Sequence, residues 1–244
     1  MHSPPQKRVR LLVETEDEKD CQAPRAKSLP IEGSVLRDHE FWFKDGNIVL
    51  VAEKTAFCLY IGLLSAQSPV FQNLFSATKL NAEEYIDGIP VVRVFDSPHD
   101  WRHFLRALIP KDELFDCFPS ISATIRLSHK YQVDCVKSEA LLALQGLYPS
   151  DFESWLEIDT EVSQEWNACG QAVNLARLTE TSSILPAALY YCSTLGGAVA
   201  KGYRREDGTI AYLSQDDLVR CIHGMRALTG ASSDYVRGMS RPLA

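Results

Sequence analysis

The chain has 244 residues, of which 45% are hydrophobic and 23% charged. That balance supports a buried core and excludes wholesale disorder, and the length fits one large domain or two small ones at ~100–200 residues each. Its 25 Lys and Arg stand against 32 Asp and Glu, a formal charge of -7, which makes a poor generic nucleic-acid binder; no apolar run approaches the ~20 residues of a membrane span.

Residues 1 to about 33 hold Lys7, Arg8 and Arg10, then Glu14, Glu16, Asp17, Glu18 and Asp20, with Pro4, Pro5, Pro24 and Pro30. Mixed charge with almost no aromatic residue predicts a disordered tail. The Lys7-Arg8-Val9-Arg10 run has the character of a nuclear import signal but is too short to be specific. The polar start, Met1-His2-Ser3-Pro4-Pro5, lacks the apolar stretch of a secretory leader. An intracellular protein, cytoplasmic or nuclear, is expected. The seven cysteines are odd in number and widely spaced, which predicts buried free thiols rather than a disulfide framework.

Structure is predicted to start near Asp38. Phe41-Trp42-Phe43 and Ile48-Val49-Leu50-Val51 flank Asp45-Gly46 and read as a hairpin. Ala56 to Ile61 makes a further strand after the polar Glu53-Lys54-Thr55. Residues 62–67 form a short apolar helix. Ser68-Pro69 restarts the chain as N-cap and first helical residue, with Val70, Phe71, Leu74 and Phe75 at helical spacing. Residues 76–88 are polar and loop-like. Ile89 to Phe95 is a β-branched strand. Ser97-Pro98 opens a helix whose inner stripe is Trp101, Phe104, Leu105 and Leu108, and Pro110 ends it. After a loop with Pro119, one helix covers about 121–131; the next begins at Asp134 with the stripe Val136, Ala140, Leu144 and Leu147.

Residues 150–244 read as all-helical. Ser150-Asp151-Phe152-Glu153 has the form of a capping box. Val162, Trp166, Cys169, Val173 and Ala176 form a stripe, Ile184–Ala200 a helix, and Gly202–Gly208 a loop. A last helix from Ser214 is expected to end at Gly230, leaving a tail over 231–244. The layout is α+β: a small sheet with clustered helices over 38–149, then a helical extension over 150–230. Leu64, Phe71, Leu74, Phe75, Val92, Val94, Phe104 and Leu108, the inward positions of successive elements, are expected to share one core.

Chemistry is sparse. His99 and His103 lie four residues apart on the side of their helix opposite Trp101, so both are expected in solvent. An H-E-x-x-H zinc motif would need Glu where Asp100 stands. Cys221-Ile222-His223 has no surrounding CxxC or CxxH framework. No glycine-rich phosphate loop and no nucleophile elbow occur. No catalytic, cofactor-binding or metal-binding residue is assigned, and an enzyme is not expected.

Asn47 to Val51 and Phe57 to Phe75, with Ser68-x-x-Phe71-x-x-Leu74-Phe75, resemble the opening of a BTB/POZ domain. The strand Pro90–Phe95 and the helix from Ser97 are similar to that family's next elements. Leu127-Ser128-His129-Lys130-Tyr131-Gln132-Val133, followed by Leu141-Leu142, resembles its closing helix pair. The leading Phe41-Trp42-Phe43 and the extension look like a fungal group of BTB-domain proteins. Asn47 and Tyr60 depart from the family, which often has Asp and His there. The resemblance implies a protein–protein interaction scaffold or adaptor without catalysis. Two narrower readings are a substrate adaptor of a cullin-type ubiquitin ligase and a transcriptional regulator. Against the first, Lys111 fills the hydrophobic place two residues before Glu113.

The candidate partner interface is Phe41, Trp42, Phe43, Tyr60 and Leu63. Three consecutive large apolar residues in a strand put at least one on each face. One face can pack on the core; a second copy of the chain would cover the other, giving a homodimer. The alternative is that the helices at 150–230 fold back over this surface and leave a monomer.

Overall fold

The fold is built on two apolar strands that bury both of their faces. Ile48–Ala52 (β2) and Thr55–Leu59 (β3) are buried along almost their whole length. They run antiparallel, Ala52 facing Thr55, with Glu53 at the turn in the left-handed region (φ 51°). In the computed structural model, which describes residues 35–81, 84–109, 115, 117–157 and 166–239, they stand inside a five-stranded sheet of order β1-β3-β2-β5-β4. Here β1 is Leu36–Trp42, β4 Tyr85–Ile86 and β5 Ile89–Val94. The expected tail over 1–33, the basic run within it and the Pro110–Glu113 stretch lie outside the described residues.

The expected hairpin around Asp45-Gly46 does not form. β1 pairs in parallel with β3, and β3 separates it from β2. An Asp-Gly hairpin is present elsewhere, at Asp87-Gly88, inside the stretch read as loop. Both residues have positive φ, 52° and 79°, the requirement of a type I′ turn. Ile86 faces Ile89 across it, and Tyr85 faces Pro90.

Period-2 alternation assigns the side chains to faces. Ile48, Leu50, Ala52, Phe57, Leu59, Val92 and Val94 point to the main core, where they meet Phe41, Leu64, Phe71, Phe75, Trp101, Phe104, Leu105 and Leu108. Leu74 packs on this core from its edge, so the eight-residue grouping expected from the sequence holds. Val49, Val51, Ala56, Cys58 and Val91 form a smaller cluster on the other face, against which Val35, Trp42, Ile86 and Ile89 pack. Phe95, expected as the last residue of this strand, lies just past its end at Val94 and is 98% exposed.

Helices cover the main face. Ile61–Gln67 (α1) leads into Pro69–Asn81 (α2), which runs on through the first part of the expected loop. Pro98–Leu108 (α3) starts as the sequence predicts: the Asp100 N–H donates to Ser97 Oγ at 3.1 Å. Phe118–Tyr131 (α4) begins earlier than expected because Pro119 sits in its first turn instead of in a loop. It ends at Gln132 in the left-handed conformation, and Asp134–Leu147 (α5) follows.

The extension contains Phe152–Glu157 (α6), Trp166–Leu178 (α7), Leu185–Thr194 (α8) and Gln215–Met239 (α9). The expected single helix over 184–200 is divided: Gly196, at φ 59°, separates α8 from a short 3-10 turn. A two-stranded ribbon, Tyr203–Arg204 (β6) with Ile210–Ala211 (β7), occupies the expected loop. α9 runs through Gly230 to Met239, past its expected end. An exposed glycine in a helix interior costs only ~1 kcal/mol relative to alanine.

Most of the buried apolar residues of the extension make a second core with Phe118, Ile121, Ile125, Ala140, Leu144 and Tyr148. α4 and α5 are thus the wall shared by the two halves. Polar bonds reinforce the seam: Ser122 to Gln171 at 2.8 Å, Gln145 to Ser183 at 3.1 Å, and His103 to Glu206 at 2.8 Å. His103 is therefore largely covered, not in solvent as expected; His99 keeps about half of its exposure, 3.8 Å from Glu206. The six described cysteines form no disulfide with one another; Cys58, Cys169, Cys192 and Cys221 are buried, whereas Cys117 and Cys135 are exposed.

Candidate functional site

The stretch from Phe41 to Leu63 is organised by a turn folded over the end of β3. The Phe43 N–H donates to the Cys58 carbonyl at 3.0 Å, Gly46 N–H to the Phe43 carbonyl at 3.1 Å, and Asn47 N–H to the Leu59 carbonyl at 2.9 Å. Glycine is needed at 46 for space. A Cβ there would stand 2.5 Å from Cys58 Sγ and 3.1 Å from two carbonyl oxygens. Gly46→Ala is expected to destabilise the chain by about 1–3 kcal/mol, the usual range for overpacking, measurable as a fall of several degrees in a circular-dichroism melt.

Strand alternation sends Phe41 and Trp42 to opposite faces of the sheet. Phe41 is fully buried in the main core and Phe43 packs on that core's edge. Phe41 is thus a core residue and not a surface for a partner; it is removed from the expected interface because the helices cover its side of the sheet. Trp42 packs on the outer-face cluster and carries the Arg37 guanidinium 4.6 Å above its ring. Arg37 in turn reaches Asp87 at 2.8 Å, anchoring β1 to the β4–β5 turn.

Tyr60 and Asn47, the two departures from the resembling family, each make a specific bond. Tyr60 O–H donates to Asp45 at 2.6 Å while its ring stacks on Phe43 at 5.1 Å. The bond to Asp45 pushes the phenol above its ordinary pKa. Asn47 Oδ1 accepts the Ile61 N–H at 2.8 Å and holds the first turn of α1, taking over the capping role that Tyr60, the residue at the cap position, does not fill with its side chain. Leu63 follows on that helix, half-buried, next to the fully buried Leu64. Phe43 and Tyr60 therefore form one aromatic surface, Leu63 lies one helical turn from Tyr60, and Trp42 sits across the sheet.

Sequence reasoning missed the Asp45–Tyr60 bond and the Arg37–Trp42 stack. The first links residues 15 apart in sequence and the second depends on the bulge in β1 between Arg37 and Trp42. Among the described residues, no group of His, Cys, Asp and Glu converges so as to hold a metal ion, and no helix is long and apolar enough to cross a membrane.

No family model matches the chain, and no curated protein matches it. Among solved structures, the BTB domain of zebrafish PATZ1 is similar over 41% of this chain and 75% of its own, with 13% identity and a TM-score of 0.33.

Proposed function

We propose that the chain is a protein–protein interaction module of BTB/POZ type, acting as a scaffold or adaptor without catalysis, with the helical extension fixed to its side. One observation carries this reading: the two sequence segments that bear the resemblance close on each other in space. Ser68 Oγ accepts the Phe71 N–H at 3.0 Å and donates to the Tyr131 carbonyl. The Phe71 and Tyr131 rings stack at 4.5 Å. The opening Ser-x-x-Phe motif and the closing Leu127–Val133 segment thus form one structural unit, as parts of a single domain type must.

Self-association through Trp42, Phe43, Tyr60 and Leu63 is the form of interaction favoured by the sequence. The second core occupies the extension against α4 and α5, which supports an open Phe43–Tyr60 surface. Multi-angle light scattering of the purified chain tests it. A dimer has twice the 27.3 kDa of one chain, and Leu63→Asp, by placing a charge in an apolar contact, is expected to return it to monomer. A mass of one chain that does not rise with concentration would remove the homodimer. Failure of the whole proposal would require, in addition, that tagged protein recovered from its own cells bring down no reproducible protein partner.

A further inference from the structure

The β6–β7 ribbon of the extension packs on α7, and between the ribbon, α7 and α4 lies a cavity of about 190 Å³. Gly170 permits this approach, since a Cβ there would stand 2.7 Å from the Tyr203 ring. The charged side chains that line the cavity are both cationic: Arg126 from α4 and Arg205 from the ribbon turn. Ser122, Gln171, Asn174 and Tyr203 supply the rest of its polar wall. The Arg205 backbone is fixed at both ends of the turn, its N–H on the Thr209 carbonyl at 2.8 Å and its carbonyl on the Gly208 N–H at 3.0 Å.

What these groups have left to offer is mostly protons. Ser122 Oγ accepts from Arg126 at 2.5 Å and donates to Gln171 Oε1 at 2.8 Å. Gln171 is only 8% exposed, and with its oxygen on Ser122 its amide nitrogen has no partner among the described residues. Tyr203, 3% exposed, accepts from Asn174 Nδ2 at 2.6 Å, so its own hydroxyl proton is left to give. Asn174 also donates to the Tyr212 carbonyl at 2.9 Å; its Oδ1 is the one side-chain carbonyl left over. Arg205 Nε is buried without a hydrogen-bond partner, and no described carboxylate makes an ion pair with its guanidinium. The carboxylates that share adjoining cavities with the two arginines are engaged. Asp96 takes Lys130 and Asp100 takes Arg126, each at 2.7 Å, Glu206 takes His103 at 2.8 Å, and Asp207 accepts the N–H and hydroxyl of Thr209.

Buried donors without acceptors call for one, and a guanidinium fork matches the oxygens of a phosphate. We propose that this cavity binds the phosphate group of a small molecule. Arg205 supplies the charge, and the Gln171 amide, the Tyr203 hydroxyl and the remaining Arg126 protons donate to the phosphate oxygens. A second cavity, of about 330 Å³, shares Ser122, Arg126, Gln171 and Arg205 with the first. It has the size at which small-molecule sites begin, ~300 Å³, and takes the organic part of a phosphate ester. A ligand so seated ties α4, in the sheet-bearing half, to α7 and the ribbon of the extension. The proposal does not rest on the Phe43–Tyr60 surface, which lies on other elements.

Isothermal titration calorimetry of the full chain, in a buffer free of phosphate and sulfate, tests it. The probes are inorganic phosphate and glycerol 3-phosphate, with acetate and sodium chloride at equal ionic strength as comparisons. Both phosphate compounds are expected to bind about tenfold or more tightly than acetate. Tighter binding of the ester assigns the larger cavity to its organic part, and equal binding assigns the site to the free ion; either supports the proposal. Arg205→Gln and Tyr203→Phe should each weaken binding by about tenfold or more. Arg205 has no ion-pair partner to lose, so the ligand-free melting temperature of Arg205→Gln should not fall. The rise that phosphate gives the native chain should be lost in that variant. Lys44→Gln, between β1 and β2, should leave binding intact. No binding of either phosphate compound at millimolar concentration, equal effects of chloride or acetate, unchanged binding by Arg205→Gln, a fall in its ligand-free melt, or loss with Lys44→Gln overturns the proposal.

Discussion

Phe71→Ala is expected to be the most damaging single truncation in the sheet-bearing half of the chain. The Phe71 ring stacks on Phe75 at 5.7 Å and on Tyr131 at 4.5 Å, and meets Trp101 at 6.2 Å and Phe104 at 6.4 Å. It therefore joins α2, α3 and α4 across one fully buried point. Its neighbours are large and mutually locked, so the hole left by alanine cannot collapse. A buried Phe→Ala change costs ~3–5 kcal/mol, and at roughly 2–4 °C per kcal/mol for a chain of this size the melting temperature should fall by about 10 °C. Phe71→Leu, which keeps most of the volume, should recover more than half of the loss. An unchanged melt for Phe71→Ala would mean that α2 does not pack as described.

Asp217→Ala should have the second-largest effect, and it should act on the extension. The Asp217 side chain is almost wholly buried and accepts from Arg177 at 2.7 and 3.1 Å, from Arg220 at 2.9 Å and from Ser214 Oγ at 2.9 Å. Its own N–H donates to Ser214 Oγ, which caps α9. Removing the carboxylate breaks the link from α7 to α9 and the bond that orients the Ser214 hydroxyl, while the backbone N–H that Ser214 Oγ caps stays in place. Both arginines are about half exposed and rehydrate, so the cost should be about 2 kcal/mol, below the ~3–5 of a fully buried broken pair. Faster amide exchange across 214–225, with β2 and β3 unaffected, is the expected signature.

The same residue sets a pH dependence. The Arg177 guanidinium beside Asp217 holds its carboxyl below the ordinary value of 3.8. A carboxylate depressed in the folded state contributes stability that is full above its unfolded pKa and is lost as pH falls through the folded one. Stability of the native chain should therefore decline below about pH 4, and Asp217→Ala should flatten that part of the curve while lowering its plateau.

How far the fold could be read from the sequence depended on the range of the signal. The Ser97-Pro98 start of α3 is local, a cap and a proline in adjacent positions, and the structure has it. The Trp101, Phe104, Leu105 and Leu108 stripe is set by helix period alone, and all four are buried. Strand pairing is different. Asp45-Gly46 and Asp87-Gly88 are the same dipeptide between apolar runs, yet only the second closes a hairpin. At the first, the chain folds back over β3, and Gly46 is retained to clear Cys58. No local pattern reveals that β1 will prefer the far edge of β3. The candidate interface shows the same limit. Alternation correctly split Phe41 from Trp42, but which of the two would be covered depends on helices contributed by residues 61–108. The His103–Glu206 bond, which spans 103 positions, had no signal in either segment.

The bulged edge strand bears on solubility. Asp38 Oδ1 accepts the N–H groups of both Glu40 and Phe41 at 3.0 Å while its other oxygen takes Arg102 at 2.7 Å. Leu36 and Phe43 spend their N–H groups on β3's side, on Lys54 and Cys58. A foreign strand arriving at this border finds those donors already committed, and the opposite border, β4, is only two residues long. An exposed row of unpaired donors is what templates fibrous stacking of one chain on another. Here one carboxylate occupies two backbone donors of the edge strand, which leaves a shorter run on which a foreign strand could pair.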